Sequence, residues 1–201
     1  MVRVEDISGK LPEGATPLDD ISELKPAYIT TIVELYNAEF ININEASKKY
    51  FLKPTRKQLL TIELLYRIHK DMFSKVWKWA GKKRKTNKNI GVDWHQIDIE
   101  LKKLIGDLQY WQENKIDIME ISARLHHRLV KIHPFENGNG RWARFAVNLF
   151  LQNQGLRTVN WPEKELFVNS VFRKKYIDAL KQADLQKYDK LIALHIYYSS
   201  M

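Results

Sequence analysis

Pro134 is the residue that most constrains this fold. It follows directly on Ile118, Ile121, Leu125, Leu129 and Ile132, whose three- and four-residue steps draw an apolar stripe along a helix. Proline disfavours helical geometry in the residue before it, so that helix has to stop near His133. A second helical period runs from about Asn139 to Asn153, and Gly155 supplies its stop. The centre of the chain therefore reads as helix, loop, helix, with a histidine and a proline at the break.

The remainder is organised around the same period. Thr55–Trp79 predicts a long helix, with Leu59, Ile62, Leu65, Ile68, Met72, Phe73 and Val76 on its apolar side and Gly81 after its end. Thr30–Lys49 predicts a helix with a less regular apolar face, and His95–Trp111 another. Lys164–Gln182 and Tyr188–Tyr198 predict two more after Trp161-Pro162. Gly9, Pro12, Gly14, Pro17 and Pro26 make the first 26 or so residues an extended lead-in. Between Gly81 and His95 the chain is polar and basic, and its Asn-rich centre with Gly91 predicts a short β-hairpin or an exposed loop. The fold class is all-α with one small β excursion. Residues 1–54 form an N-terminal extension with one helix, and 55–201 the main domain.

With 8 Gly and 6 Pro in 201 residues, and 44% hydrophobic residues, the composition opposes a turn-rich all-β fold. No cysteine occurs, which removes disulfides, thiolate zinc sites and thiol nucleophiles, and agrees with a reducing cytoplasm. The reading is a soluble cytoplasmic protein with no signal peptide and no membrane span. A net charge of +9 fits nucleic acid, a polyphosphate ligand or acidic protein surfaces, and equally lysines dispersed over solvated faces. Nucleic acid is the weakest of these, since neither a helix-turn-helix nor a basic recognition helix is present.

The chemistry gathers in His133-Pro134-Phe135-Glu136-Asn137-Gly138-Asn139-Gly140-Arg141-Trp142-Ala143-Arg144. A histidine at a helix end can face a cavity and accept a proton near neutral pH. Phe135 can anchor the loop in the core. Gly138 and Gly140 admit backbone conformations, and a close ligand approach, that other residues resist. The helix start that follows is an anion site, and Arg141 and Arg144, three apart, can lie on one side of it. Asn137-Gly138 and Asn139-Gly140 could also be plain turn dipeptides, but the flanks are helical rather than alternating. A base, an amide cradle and two arginines together describe a phosphoryl-type transfer site.

The segment resembles the signature of the Fic family (the Fic/Doc or Fido fold), H-P-F-x-[D/E]-G-N-G-R-x-x-R. Trp79-Ala80-Gly81, Arg84 and Asn89-Ile90-Gly91-Val92 are similar to the family's target-docking flap, and Phe172 to Tyr188 to its closing helices. Thr16-Pro17-Leu18-Asp19 and Ile29-Thr30-Thr31 are similar to a bacterial branch called mobile mystery protein B. The resemblance implies a helical bundle with a β-hairpin flap that moves AMP from ATP to a Ser, Thr or Tyr hydroxyl of a target protein. It implies that His133 is the base and Phe135 the loop anchor. Gly138, Asn139 and Gly140 would surround the α- and β-phosphates, Arg141 hold the β/γ-phosphates and Arg144 the γ-phosphate. Lys85, Thr86, Ile90, Gly91 and Val92 would dock the target. Asn137 stands where the family has an acidic ligand for Mg²⁺, so metal is expected to bind weakly and catalysis to suffer. A Fic-fold module that binds nucleotide or protein without efficient transfer is the alternative, as is transfer of another phosphate-containing group. The family's inhibitory pattern [S/T]-x-x-x-E-[G/N] finds Thr30 to Leu35, with Leu35 in the last place, and a separate antitoxin-like partner could serve instead. His126 and His127 are adjacent, point to different sides of their helix, and frame no zinc site.

Overall fold

The computed structural model describes residues 21–52, 58–166 and 168–200. Among them are eight α-helices and no sheet: α1 Ile32–Ser47, α2 Ile62–Phe73, α3 Ile97–Glu113, α4 Ile118–Ile132, α5 Asn139–Asn153, α6 Glu163–Leu166, α7 Val171–Asp184 and α8 Asp189–Ser200. A π-helical turn, Lys48–Leu52, extends α1, and a 3-10 turn, Trp94–Gln96, leads into α3. The expected boundary after residue 54 and the stretch Thr16–Asp19 lie outside the described residues.

α4 is the central element. Its Ile121, Ala123, Leu125 and Leu129 are fully buried, and it packs against α3, α5, α7 and α8. Asp117 starts it by accepting the Met119 and Glu120 amides at 2.9 and 3.1 Å. It ends at Ile132, one residue before His133, and α5 spans the same residues that its sequence period gives. α1 packs against α2, and α2 in turn against α5. Thr31 opens α1 with a reciprocal cap: its hydroxyl accepts the Glu34 amide at 3.2 Å, and the Glu34 carboxylate takes the Thr30 and Thr31 amides at 2.8 and 3.0 Å.

Three expectations change. Of the long helix expected over Thr55–Trp79, the described residues 58–79 form only Ile62–Phe73, capped by Thr61. Past Ser74 the chain pairs with the lead-in instead, Lys25 N–H donating to the Val76 carbonyl (2.8 Å) and Lys78 N–H to that of Glu23 (2.9 Å). Val76 and Trp77 are thus buried, as their apolar character requires, without being helical. The helix expected over Lys164–Gln182 is split into α6 and α7, because Ser170 caps a fresh start by accepting the Arg173 amide at 2.9 Å.

The β-hairpin expected at Lys85–Val92 is absent; this segment is bends and irregular backbone. Arg84, fully buried, explains why. Its guanidinium donates to the carbonyls of Thr86 (2.7 Å) and Val92 (2.5 Å), so both arms are tied to one side chain rather than to each other. The one β-bridge among the described residues joins Leu24 and Trp77. No described helix is long and apolar enough to cross a membrane.

Candidate active site

His133 caps α4 in the left-handed conformation, with φ 53° and ψ 59°. Pro134 rules out a helical turn there, and a non-glycine residue in this region costs of order 1 kcal/mol. Arg84 braces it: Nε donates to the His133 carbonyl at 2.7 Å, and the Arg84 amide to the Pro134 carbonyl at 2.9 Å. The flap passes close enough that a Cβ on Gly91, where φ is +109°, would sit 2.7 Å from His133 Cβ. Lys88 pairs with Glu136 at 2.8 Å, a second tie between flap and loop.

The His133 ring is oriented by the Val130 carbonyl, 3.1 Å from Nδ1. A carbonyl only accepts, so Nδ1 carries the proton and Nε2 the lone pair of the neutral ring. Burial pushes its pKa down to about 4, the Val130 bond opposes this, and the positive charges of Arg84 and Lys88 add to it. At neutral pH the ring is in the form that accepts a proton.

Phe135 is fully buried beneath the loop. It stacks on His69 with centroids 3.5 Å apart and meets Trp142 edge-on at 4.9 Å. His69 Nδ1 accepts the Gly81 amide at 2.9 Å, so Nε2–H donates to the Asn137 carbonyl at 3.1 Å. Burial holds this ring neutral, with a pKa of about 3. The Asn139 side chain closes the loop on itself, taking the Phe135 amide and donating to the Phe135 carbonyl, both at 2.9 Å. What Asn139 can offer an anion is therefore its backbone amide at the start of α5. That helix opens from Gly138 at φ +77°, where a Cβ would meet the Phe73 ring at 2.6 Å.

The two arginines leave the helix in different directions, each onto a carboxylate. Arg141 Nη1 lies 2.5 Å from Glu39 of α1, and its guanidinium stacks over Phe73 at 4.8 Å. Glu39 is buried and also accepts Trp77 Nε1–H at 2.7 Å. Arg144 makes a two-pronged pair with Glu163 of α6, Nε and Nη2 each at 2.7 Å. Glu163 and Tyr176 keep its guanidinium charge favoured despite complete burial. Glu34, the residue that the inhibitory pattern singles out, is spent on the cap of α1. The carboxylate that reaches the site is Glu39, five residues further along the same helix.

His133, Asn137, Gly138, Asn139, Gly140, Arg141 and Arg144 line one cavity of about 530 Å³, with Tyr36 and Glu39 from α1 and Ile90, Gly91 and Val92 from the flap. That volume is in the range of small-ligand sites. Lys85 and Thr86 are exposed and do not line it. Sequence reasoning missed His69, Glu39 and Glu163, and it named Arg84 only as part of the flap. His69 lies on the apolar side of α2 beside Ile68 and Met72, which was its one visible signal.

The position of the expected metal ligand holds a neutral amide. Asn137 Oδ1 already accepts the Gly138 amide at 2.6 Å. Among the described residues no group of three or more His, Asp or Glu side chains could hold a metal ion. Asn137 Oδ1 can offer a hard cation one neutral oxygen, without the charge of a carboxylate.

Residues 59–151 match the model of the Fic/DOC family. The match includes the His133–Arg144 segment that carries the resemblance. Protein adenylyltransferase fic-1 of Caenorhabditis elegans is 31% identical over 123 residues, 58% of this chain and 23% of that one. Uridine 5'-monophosphate transferase of Xanthomonas campestris is 39% identical over 62 residues, 28% of this chain and 12% of that protein. The chain thus spans a quarter or less of the length of these curated relatives. In fold it is similar to the BepC effector protein of Bartonella tribocorum, solved with bound AMPPNP. The TM-score is 0.67 at 20% identity, covering 96% of this chain and 97% of that one.

Proposed function

We propose that this Fic/DOC domain transfers a nucleoside monophosphate, AMP from ATP, to a Ser, Thr or Tyr hydroxyl of a target protein. One observation carries the reading: a neutral histidine, its Nδ1 committed to Val130, lines the same cavity as the α5 N-terminus and Arg141. The target hydroxyl gives its proton to His133 Nε2 as its oxygen bonds to the α-phosphorus. The bond from that phosphorus to the bridging oxygen breaks, and pyrophosphate leaves. The amides at the start of α5 and its dipole neutralise charge on the phosphates, where most of the catalysis of such a transfer originates. Arg141 turns from Glu39 to the outer phosphates when ATP enters, so Glu39 restrains the site from within the chain. A separate antitoxin-like inhibitor is the alternative means of restraint, and co-purification of a second chain would reveal it. The flap, tethered through Arg84 and Lys88, offers its edge to an extended stretch of target. We place the reaction in the cytoplasm, where ATP is supplied, and group the chain with the bacterial mobile mystery protein B branch on its N-terminal likeness.

The test is incubation with α-labelled ATP and a cell extract, read as label on protein. His133→Ala should lose the label and keep most nucleotide affinity; full labelling by that variant would remove the mechanism. UTP in a parallel arm distinguishes the donor, which the uridylyl-transferring relative makes worth measuring. Asn137 favours a second reading, a nucleotide-binding module with little transfer. ATP binding by titration with no labelled protein would select it.

A further inference from the structure

Arg84 holds the flap from inside the fold, through the carbonyls of Thr86 and Val92. A second set of bonds closes the same loop from outside. Asn87 Nδ2–H donates to Asp93 Oδ2 at 3.1 Å, and Asn87 Oδ1 accepts the Trp94 amide at 2.9 Å. Asp93 Oδ1 accepts the His95 amide and His95 Nδ1–H, both at 2.9 Å. Trp94 packs against the core, its ring 3.5 Å from that of His95, so the descending arm is fixed and Asn87 fastens the rising arm to it. Asn87 and Asp93 are exposed, whereas Arg84 is fully buried.

Each of these groups has the partner its chemistry requires. Asn87 presents one donor and one acceptor to residues 93 and 94, the pair of bonds that the backbone of a neighbouring strand would otherwise make. A carboxylate only accepts, and Asp93 meets N–H donors alone. Asn87, then the His95 amide and ring, hold its carboxyl down to about 2, so it is charged at neutral pH. Between the ties stand Lys88 to Val92, of which Ile90, Gly91 and Val92 line the cavity, and Gly91 lies against His133. A target hydroxyl has to come within a hydrogen bond of His133 Nε2, and a misplacement of about 1 Å is enough to slow such a reaction on the order of 100-fold. A docking edge without a ladder therefore needs another source of rigidity.

We propose that Asn87 and Asp93 are positioning residues for target docking, their side chains standing in for the missing strand pairs and holding Lys88 to Val92 at a fixed distance from His133. The inference rests on the transfer reading of this site. Exchanging the two residues tests it. In Asn87→Asp two carboxylates face each other across the gap that one hydrogen bond now spans. In Asp93→Asn two amides face each other, and whichever way either is turned, one N–H meets another. Each single change breaks the clamp with almost no change of size. In the double variant N87D/D93N the new carboxylate accepts the Trp94 amide and the new side-chain NH₂, while the new amide oxygen keeps the His95 amide. The bonds are remade with their polarity reversed and the net charge unchanged.

The experiment has two readouts. The first is trypsin cleavage after Lys85 or Lys88, located by mass spectrometry. Cleavage should be slow in the parent and in N87D/D93N, and at least about fivefold faster in both single variants, the effect of losing a hydrogen bond to a charged group. The second is the initial rate of protein labelling from α-labelled ATP over a dilution series of cell extract, beside ATP affinity by titration. The single variants should label about five- to tenfold more slowly at low extract concentration, with a smaller deficit at high concentration, and keep ATP affinity within about twofold. N87D/D93N should return to within about twofold of the parent. Single variants that label as well as the parent overturn the proposal, and so does a parallel loss of ATP affinity. A double variant that resists trypsin yet labels as poorly as the single ones also overturns it. A parent that labels no protein refutes the transfer reading and with it the docking role, whereas trypsin cleavage that ignores the exchange refutes the clamp alone.

Discussion

Replacing Glu39 by glutamine removes the charge resting on Arg141 while preserving side-chain volume and an oxygen for Trp77 Nε1–H. The pair is short, 2.5 Å, and sheltered, with side-chain exposure of 4% at Glu39 and 15% at Arg141. A hydrogen bond between charged groups in such a place is worth about 1.5–3 kcal/mol, a net figure far below the bare Coulomb attraction because both ions have lost water. A triphosphate that claims Arg141 has to displace Glu39 first. Removing that competition should tighten ATP binding by about 10- to 100-fold, each 1.4 kcal/mol being tenfold. AMP lacks the outer phosphates, so its affinity should change by no more than about twofold. The fold should lose about 1–2 kcal/mol, since the glutamine oxygen still accepts from Trp77 but holds the arginine less well. Calorimetric titration of both nucleotides into parent and variant, with a melting curve for each, measures all of this. Unchanged or weaker ATP binding in a folded variant would refute the reasoning, and so would an equal gain for AMP.

Other outcomes follow from the same geometry. His69, His133 and His195 are neutral in the folded chain, with pKa values of about 3, 4 and 3, against 6.5 when unfolded. Below pH 6.5 the unfolded state therefore binds more protons, so stability should fall as pH drops from 6.5 towards 4 and be insensitive to these groups above 6.5. Melting temperatures from pH 7.5 to 4.5 check this, and a flat profile would contradict it. Asn137→Asp supplies a carboxylate, and ATP titrations with and without Mg²⁺ should diverge in that variant more than in the parent; identical Mg²⁺ dependence would mean this position is not turned to the phosphates. Gly91→Ala places a methyl 2.7 Å from His133 Cβ in a left-handed backbone, so it should displace the flap and cut target labelling by tenfold or more. ATP affinity should stay nearly constant in that variant, and equal loss of both would show that the damage is not confined to the flap.

The centre of this protein was legible residue by residue because its signals are local. Pro134 after His133 and Gly138 at a left-handed turn each act within a few bonds, and they set the end of α4 and the start of α5. The loop between those ends lines one cavity with His133, Gly140, Arg141 and Arg144, but the two arginines, which their spacing lets lie on one side, turn to different carboxylates. Tertiary structure decided what each of these groups is bonded to. Arg141 meets Glu39 across 102 positions, Arg84 meets His133 across 49, and His126 meets His195 across 69. A single polar contact of that range imposes no period on either segment, so neither end announces it. The same holds for backbone: α2 stops at Phe73 because residues 23–25 claim the chain after it, and the flap forgoes its ladder because one buried guanidinium holds both arms. Periodicity and caps report the free energy of a chain with its near neighbours. The state of the arginines depends on partners that only packing brings within 3 Å or so.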